Sequence, residues 1–277
     1  MPTDFTLDGH AGTIAARRWD NPDPRYIVLL VHGYGEHIGR YEHVAQRLVA
    51  DGAVVYGVDH LGHGRSEGER VLITDFEKLV DDLRLLHKRA AKEHSGLPVV
   101  LIGHEIGGTI ATRYAQRYGK KLACVVLSAP AIGEWATVDT MLASDEAAAA
   151  PIDPAVLSRD PAVGKAYAED PLVWHGPFKR PTLEALRRFL ATINSGPPLD
   201  DIPVMWLHGS EDRLVPYEGT AMGWSHVADA GCEASAYPGA RHEIFNETNR
   251  YEVLSDVVAF VGRHAHPARA GGKRKNR

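Results

Sequence analysis

Five short apolar runs constrain this chain more than any other feature. They are "YIVLLVHG" (26–33), "AVVYGVDH" (53–60), "PVVLIGHE" (98–105), "LACVVLSAP" (122–130) and "PVMWLHGS" (203–210). None alternates apolar with polar residues, so each reads as a strand buried on both faces. A sheet of that kind must be covered by helices on both sides. Helical periodicity falls between the runs, at 40–51, 75–94, 107–118, 217–230 and 249–264. Such alternation predicts an α/β fold with a mostly parallel sheet. Residues 4–7 and 12–19 read as an antiparallel pair ahead of it, and 232–242 as a more polar edge strand. At 277 residues and 44% hydrophobic content, the chain suits one large domain carrying an insertion.

That insertion is residues 131–200, where no central strand is visible and Pro, Ala and Asp accumulate. It reads as a helical cap over the strand ends, with 1–130 and 201–264 as the core and 265–277 as a basic, solvated tail. The only sizeable apolar residues early in the cap are Trp135, Val138, Met141 and Leu142, so at most weak peripheral membrane contact is expected there. A net charge of −5 gives no global support for nucleic-acid binding. The N-terminus shows no basic and apolar leader pattern, and no apolar run approaches the ~20 residues that span a bilayer. The two cysteines, Cys124 and Cys232, sit in strand-like settings and read as thiols in a reducing compartment. A cytoplasmic location is the expectation. His32, His60, His63 and His104 lie after strands without metal-ligand spacing, so neither a metal nor another cofactor is expected.

Ligands of such sheets sit at the carboxyl ends of the strands. Glu105, Asp212 and His242 all follow strands. "GHEIGG" (103–108) has the surroundings of a nucleophile elbow, the strand-to-helix turn written G-x-S-x-G, with Glu105 at its point. The order elbow, acid, histidine is that of α/β hydrolases. A carboxylate such as Asp212 holding one imidazole nitrogen frees the other to take a proton. "HGYGEH" (32–37) suits an oxyanion loop, with the N–H groups of Tyr34 and Ile106 as donors. Ser66 and Ser128 stand on no elbow and read as capping or turn residues, and Trp174 and Phe178 as core or pocket wall.

The chain resembles the monoacylglycerol lipase group of serine hydrolases. The stretches that carry the resemblance are "HGYGEHIGRYEHVAQRL", "YGVDHLGHGRSEGERV", "LSAPA", "SRDPAVGKAYAEDPLVWHG", "HGSEDRLVP" and "YPGARHEIFNE". They cover most of residues 26–264, and the cap motif is more specific than any elbow. The resemblance implies Asp212 rather than Glu211 as the acid, His242 as the base, Tyr34 and Ile106 as oxyanion donors, and a lipid ester as substrate. It also implies Glu36 and Arg40 near the leaving-alcohol end of the pocket. The group has serine where this chain has Glu105, usually followed by methionine where this chain has Ile106.

Three readings of Glu105 follow. In the first, the nucleophile has been replaced and little esterase activity remains. In the second, the carboxylate works, either as a nucleophile or by activating water with His242. Attack on an ester would then give an anhydride, and the extra methylene of Glu relative to Asp displaces the trajectory. In the third, the pocket binds ligands without catalysis.

Overall fold

The computed structural model describes residues 2–265 apart from Asp201 and Ala230. The basic tail expected at 265–277 lies, beyond Ala265, outside the described residues. Eight strands form one sheet: β1 (Thr3–Gly9), β2 (Gly12–Trp19), β3 (Tyr26–Val31), β4 (Ala53–Val58), β5 (Val99–His104), β6 (Cys124–Ser128), β7 (Val204–Gly209) and β8 (Cys232–Tyr237). Their order is β1-β2-β4-β3-β5-β6-β7-β8. The β1–β2 and β2–β4 pairings are antiparallel, and every pairing from β4 to β8 is parallel. This is the α/β-hydrolase fold. The polar strand β8 does lie at an edge, where one flank needs no partner.

The helices are α1 (Glu42–Ala50), α2 (Phe76–Glu93), α3 (Ile106–Tyr118), α4 (Ala136–Ala143), α5 (Asp145–Ala149), α6 (Pro161–Glu169), α7 (Arg180–Asn194), α8 (Tyr217–Val227) and α9 (Arg250–Ala265). The central strands show why their runs are unbroken. Ile27, Leu29 and Val31 of β3 enter one apolar cluster with Leu83 and Leu86 of α2 and Ile110 and Tyr114 of α3. Tyr26, Val28 and Leu30 enter another, with Leu48 of α1 and Val257 and Phe260 of α9. Side chains point alternately to the two faces, and both faces are covered, so each position must be apolar. Burying each large aliphatic group contributes about 1.5–3 kcal/mol.

Residues 131–200 contain α4 to α7 and no strand among the described residues. The end of this segment is as much core as cover: Leu186, Phe189 and Ile193 of α7 join the first cluster, and Phe189 stacks on Phe76 at 5.2 Å. No helix of the described residues is long and apolar enough to cross a membrane. Cys124 is buried, Cys232 is partly exposed, and both are free thiols.

Candidate active site

The elbow is built by close approach. Strand β5 runs into Glu105, whose backbone sits at φ +52°, ψ −118°, before α3 begins at Ile106. A non-glycine residue there is held under strain of about 1 kcal/mol or more. Surrounding bonds enforce it: Glu105 N–H donates to Ser128 O at 3.0 Å, and Thr109 N–H to Glu105 O at 3.1 Å. A Cβ on Gly107 would run into the carbonyl oxygens of Val31 and His32, so the glycines of "GHEIGG" let α3 pack down on the neighbouring strand.

The geometry turns the Glu105 side chain to the loop 32–37, where the oxyanion donor Tyr34 is expected. Its Oε2 accepts from the Tyr34 N–H at 2.5 Å. The Ile106 N–H is near enough to favour the charged form of this carboxylate. One of the two expected oxyanion donors, the Tyr34 N–H, is therefore engaged by the elbow residue itself. Burial pushes the Glu105 carboxyl up to about 7, against the opposing pull of His242 and these two N–H groups, while Glu36 adds to the rise.

Asp212 and His242 come together across 30 residues of sequence. His242 Nδ1 lies 2.8 Å from Asp212 Oδ2, and both groups are buried. Asp212 Oδ1 accepts from the Leu214 and Val215 N–H groups, each at 2.9 Å. His208, which the motifs do not single out, stands with Nε2 3.2 Å from Asp212 Oδ2. Burial raises the Asp212 pKa, but His242 and His208 more than reverse this and hold it well below the usual carboxylate range. Burial alone would lower the His242 pKa. Asp212, by charge and hydrogen bond, and then Glu105 and Glu243 by charge, raise it to about 9. Glu211, beside Asp212, is exposed.

Glu36 and Arg40 line the same recess, but their polar ends are engaged within the protein. Glu36 Oε1 accepts from Gly33 N–H and Tyr41 O–H, each at 2.6 Å. Arg40 bonds to Glu36 at 2.7 Å and to both carboxylate oxygens of Glu243 at 2.7 and 2.8 Å. The recess runs from Glu105 and His242 to an apolar wall of Trp135, Ile152, Leu157, Phe178 and Leu214. Phe178 stacks on Tyr34 at 4.7 Å. Trp174 lies farther out, its N–H donating to Gly35 O at 2.7 Å.

The histidines fall into two groups. His32, His60 and His63 cluster with ring centroids 4.2 to 6.0 Å apart, beneath the oxyanion loop. Burial holds His60 down to about 4 and His63 down to about 3. His104 packs on His242 at 4.8 Å and reaches Ser128 Oγ at 3.0 Å. No group of three or more ligating side chains among the described residues is arranged to hold a metal ion. Ser66 Oγ accepts from Ala15 N–H at 2.8 Å and donates to Asp59 O at 2.5 Å, a turn role.

The specific cap motif acquires a physical reason. In "SRDP", Arg159 donates to Glu247 Oε2 at 2.9 Å, and its own N–H to Oε1 at 3.0 Å. Glu247 also accepts from the Arg241 and Thr248 N–H groups at 2.8 Å each. The loop that carries His242 is thus pinned to the start of α6. In "DPLVWHG", Asp170 bonds His37 of the oxyanion loop at 2.9 Å. Both contacts join residues 88 or more apart in sequence, so no local pattern discloses them.

A parallel sheet with a strained strand-to-helix elbow at its centre, and an Asp–His pair at the neighbouring strand ends, defines the α/β-hydrolase class. The family model described as serine aminopeptidase, S33, matches residues 22–249. The chain belongs to the monoacylglycerol lipase-like α/β-hydrolase family of ester hydrolases. It is 38% identical over 251 residues to a monoacylglycerol lipase of Mycolicibacterium smegmatis, covering 87% of this chain and 90% of that protein. It is 32% identical over 234 residues to the human monoglyceride lipase, covering 81% of this chain and 77% of that protein. Among solved structures, a Paleococcus ferrophilus monoacylglycerol lipase superposes with a TM-score of 0.79 at 28% identity, over 91% of this chain and 99% of that one. A soluble variant of the Saccharomyces cerevisiae monoglyceride lipase shares the fold at a TM-score of 0.82 and 20% identity, over 96% of each chain.

Proposed function

We infer that this chain has the frame of a monoacylglycerol lipase-type ester hydrolase in which Glu105 stands in place of the nucleophile and leaves little esterase activity. One observation carries the reading: the Glu105 carboxylate occupies the Tyr34 N–H, a donor that a developing oxyanion would need. An ester carbonyl polarised by that donor would have to displace a group bonded to it already. The carboxylate is also a poor substitute for serine, because its attack on an ester forms an anhydride instead of a stable acyl-enzyme. Activation of water by Glu105 with His242 is the lesser reading, since the carboxylate's hydrogen bond runs to the Tyr34 amide.

The ligand class follows from similarity and from the lining. The apolar wall beyond His242 offers hydrocarbon contacts of the kind an acyl chain uses. The yeast relative was solved with a substrate analog. Residues 131–200 act as a cap over the core of 1–130 and 201–264, any membrane contact through it is weak, and the location is cytoplasmic. These assignments rest on the sequence pattern.

The experiment is a chromogenic short-chain ester assay, with a monoacylglycerol beside it, on this chain and on Glu105→Ser. Serine vacates the Tyr34 amide donor and stands where His242 can deprotonate it. A gain of roughly 10³-fold or more in kcat/KM is expected. Equal, family-like rates in both forms would overturn the reading and make Glu105 a working group.

A further inference from the structure

The resemblance places Arg40 against the leaving alcohol. The geometry points to a different role, and we propose that Arg40 is a positioning residue: its guanidinium holds the oxyanion loop and the histidine loop in one fixed relation, and Tyr167 on its face couples that relation to α6. The inference rests on the hydrolase reading above for its kinetic arm only.

The chain of contacts is continuous. Gly33, next to the donor Tyr34, gives its N–H to Glu36 Oε1 at 2.6 Å. Glu36 Oε2 takes Arg40 Nη1 at 2.7 Å. Arg40 Nη1 and Nη2 then grip Glu243, the residue after His242, at 2.7 and 2.8 Å. Asn246 Nδ2 secures the same carboxylate at 2.8 Å. On the other side, the Tyr167 ring of α6 lies 5.3 Å from the guanidinium carbon. Three backbone segments, 33–40, 243–246 and α6, meet at one cation.

Two features argue against a hydroxyl-binding role. Both terminal nitrogens already bond carboxylates, and only 10% of the side chain is exposed. Using one of these bonded N–H groups for a glycerol hydroxyl would exchange a carboxylate acceptor for an uncharged, weaker one. A bidentate grip on Glu243 with a third bond to Glu36 uses the planar fork that distinguishes arginine from lysine. The paired charges also stabilise one another: burial works against the ionised forms of Arg40 and Glu243, and it is outweighed for Arg40 by Glu243 and Glu36 together and for Glu243 by Arg40 with His104 and Asn246.

The kinetic arm compares Arg40→Lys and Arg40→Met, each in the Glu105→Ser background, on p-nitrophenyl butyrate and on monolauroylglycerol. Misplacement of a catalytic loop by ~1 Å costs on the order of 10²-fold, so kcat should fall by about that factor on both esters. KM should stay within about threefold, and Lys should not rescue, since one ammonium cannot reproduce the fork. The second arm uses the chain as it stands and needs no activity. The downfield proton of the His242–Asp212 hydrogen bond, seen by NMR, should broaden in Arg40→Met while thermal unfolding stays cooperative. Should Arg40→Met fail to fold, Tyr167→Ala in the Glu105→Ser background replaces it, with a smaller loss of kcat on both esters. A loss confined to the glycerol ester and carried by KM, rescue by Lys, or an unchanged His242 proton would overturn the proposal. An inactive Glu105→Ser protein with a broadened His242 proton in Arg40→Met would overturn the hydrolase reading and leave this one standing.

Discussion

The carboxylate of Glu105 accepts the backbone N–H of Tyr34 at 2.5 Å, across 71 residues of sequence. The elbow residue and the oxyanion loop are therefore bonded to each other in the resting protein. Catalysis of acyl transfer needs such donors free and aimed at an oxygen that becomes charged only in the transition state. Here the Tyr34 N–H serves a group that is present before any substrate arrives.

Removing the side chain should open the site to anions. Glu105→Ala leaves the Tyr34 and Ile106 N–H groups without the carboxylate and removes its repulsion. The affinity for laurate should rise by roughly tenfold or more, the worth of one charge-assisted hydrogen bond. Isothermal calorimetry on the two forms measures it, and equal affinities would mean that the amides do not face the recess.

Glu105 should make stability fall with pH. Its folded-state pKa of about 7 exceeds the ordinary 4.5, so between these values the folded chain holds a proton that the unfolded chain has lost. Stability from this group is full below about pH 4.5, declines through the window, and is lost above about pH 7. A shift of that size corresponds to on the order of 3 kcal/mol. Glu105→Gln cannot ionise and keeps an acceptor for Tyr34. Its advantage in urea unfolding should be small at pH 5 and grow to pH 8, and a pH-independent difference would contradict the assignment.

His242 should titrate high, and in steps that reveal its neighbours. Its pKa of about 9 comes mainly from Asp212 overcoming burial, with a smaller share from Glu105. NMR titration should show a modest fall in Glu105→Gln and a larger one in Asp212→Asn. The sign for stability is the same as that of Glu105, at a higher window: this pair stabilises fully below the unfolded value near 6.5, and the contribution disappears as pH rises through about 9. An identical titration in all three forms would show that the side chains do not interact.

Glu247 should matter more than its distance from the reaction suggests. It is fully buried and accepts from three backbone N–H groups and the Arg159 side chain. Glu247→Ala strands those donors and should cost about 3–5 kcal/mol by chemical denaturation. Arg159→Ala, at a partly exposed position, should cost about 1 kcal/mol. Comparable small losses for both would mean that water replaces the carboxylate.

Much of the architecture was legible in the residues. The runs at 26–33, 53–60, 98–105, 122–130 and 203–210 all contain central strands, because burial on both faces leaves an unbroken apolar mark. The helical segments also fall where the periodicity put them, to within a few residues at their ends. The weakest boundary concerns α7. It lies in the segment read as cap yet packs Phe189 and Ile193 into the core, since an amphipathic helix shows that it has an apolar face but not what that face meets.

The sequence by itself determined which chemical groups this protein owns and which strand ends present them: an elbow bearing glutamate, an aspartate, a histidine and a glycine-rich loop. Those are properties of local pattern, because burial period and turn chemistry are written within a few residues. Only the tertiary structure decided that Glu105 turns to the amide of Tyr34, that Arg40 is held between Glu36 and Glu243, and that Arg159 of the cap grips Glu247. Each of those pairs except Glu36–Arg40 spans 71 residues or more. The direction of a buried carboxylate is set by the donors that surround it in space, and distant loops supply those donors only once the sheet has brought them together.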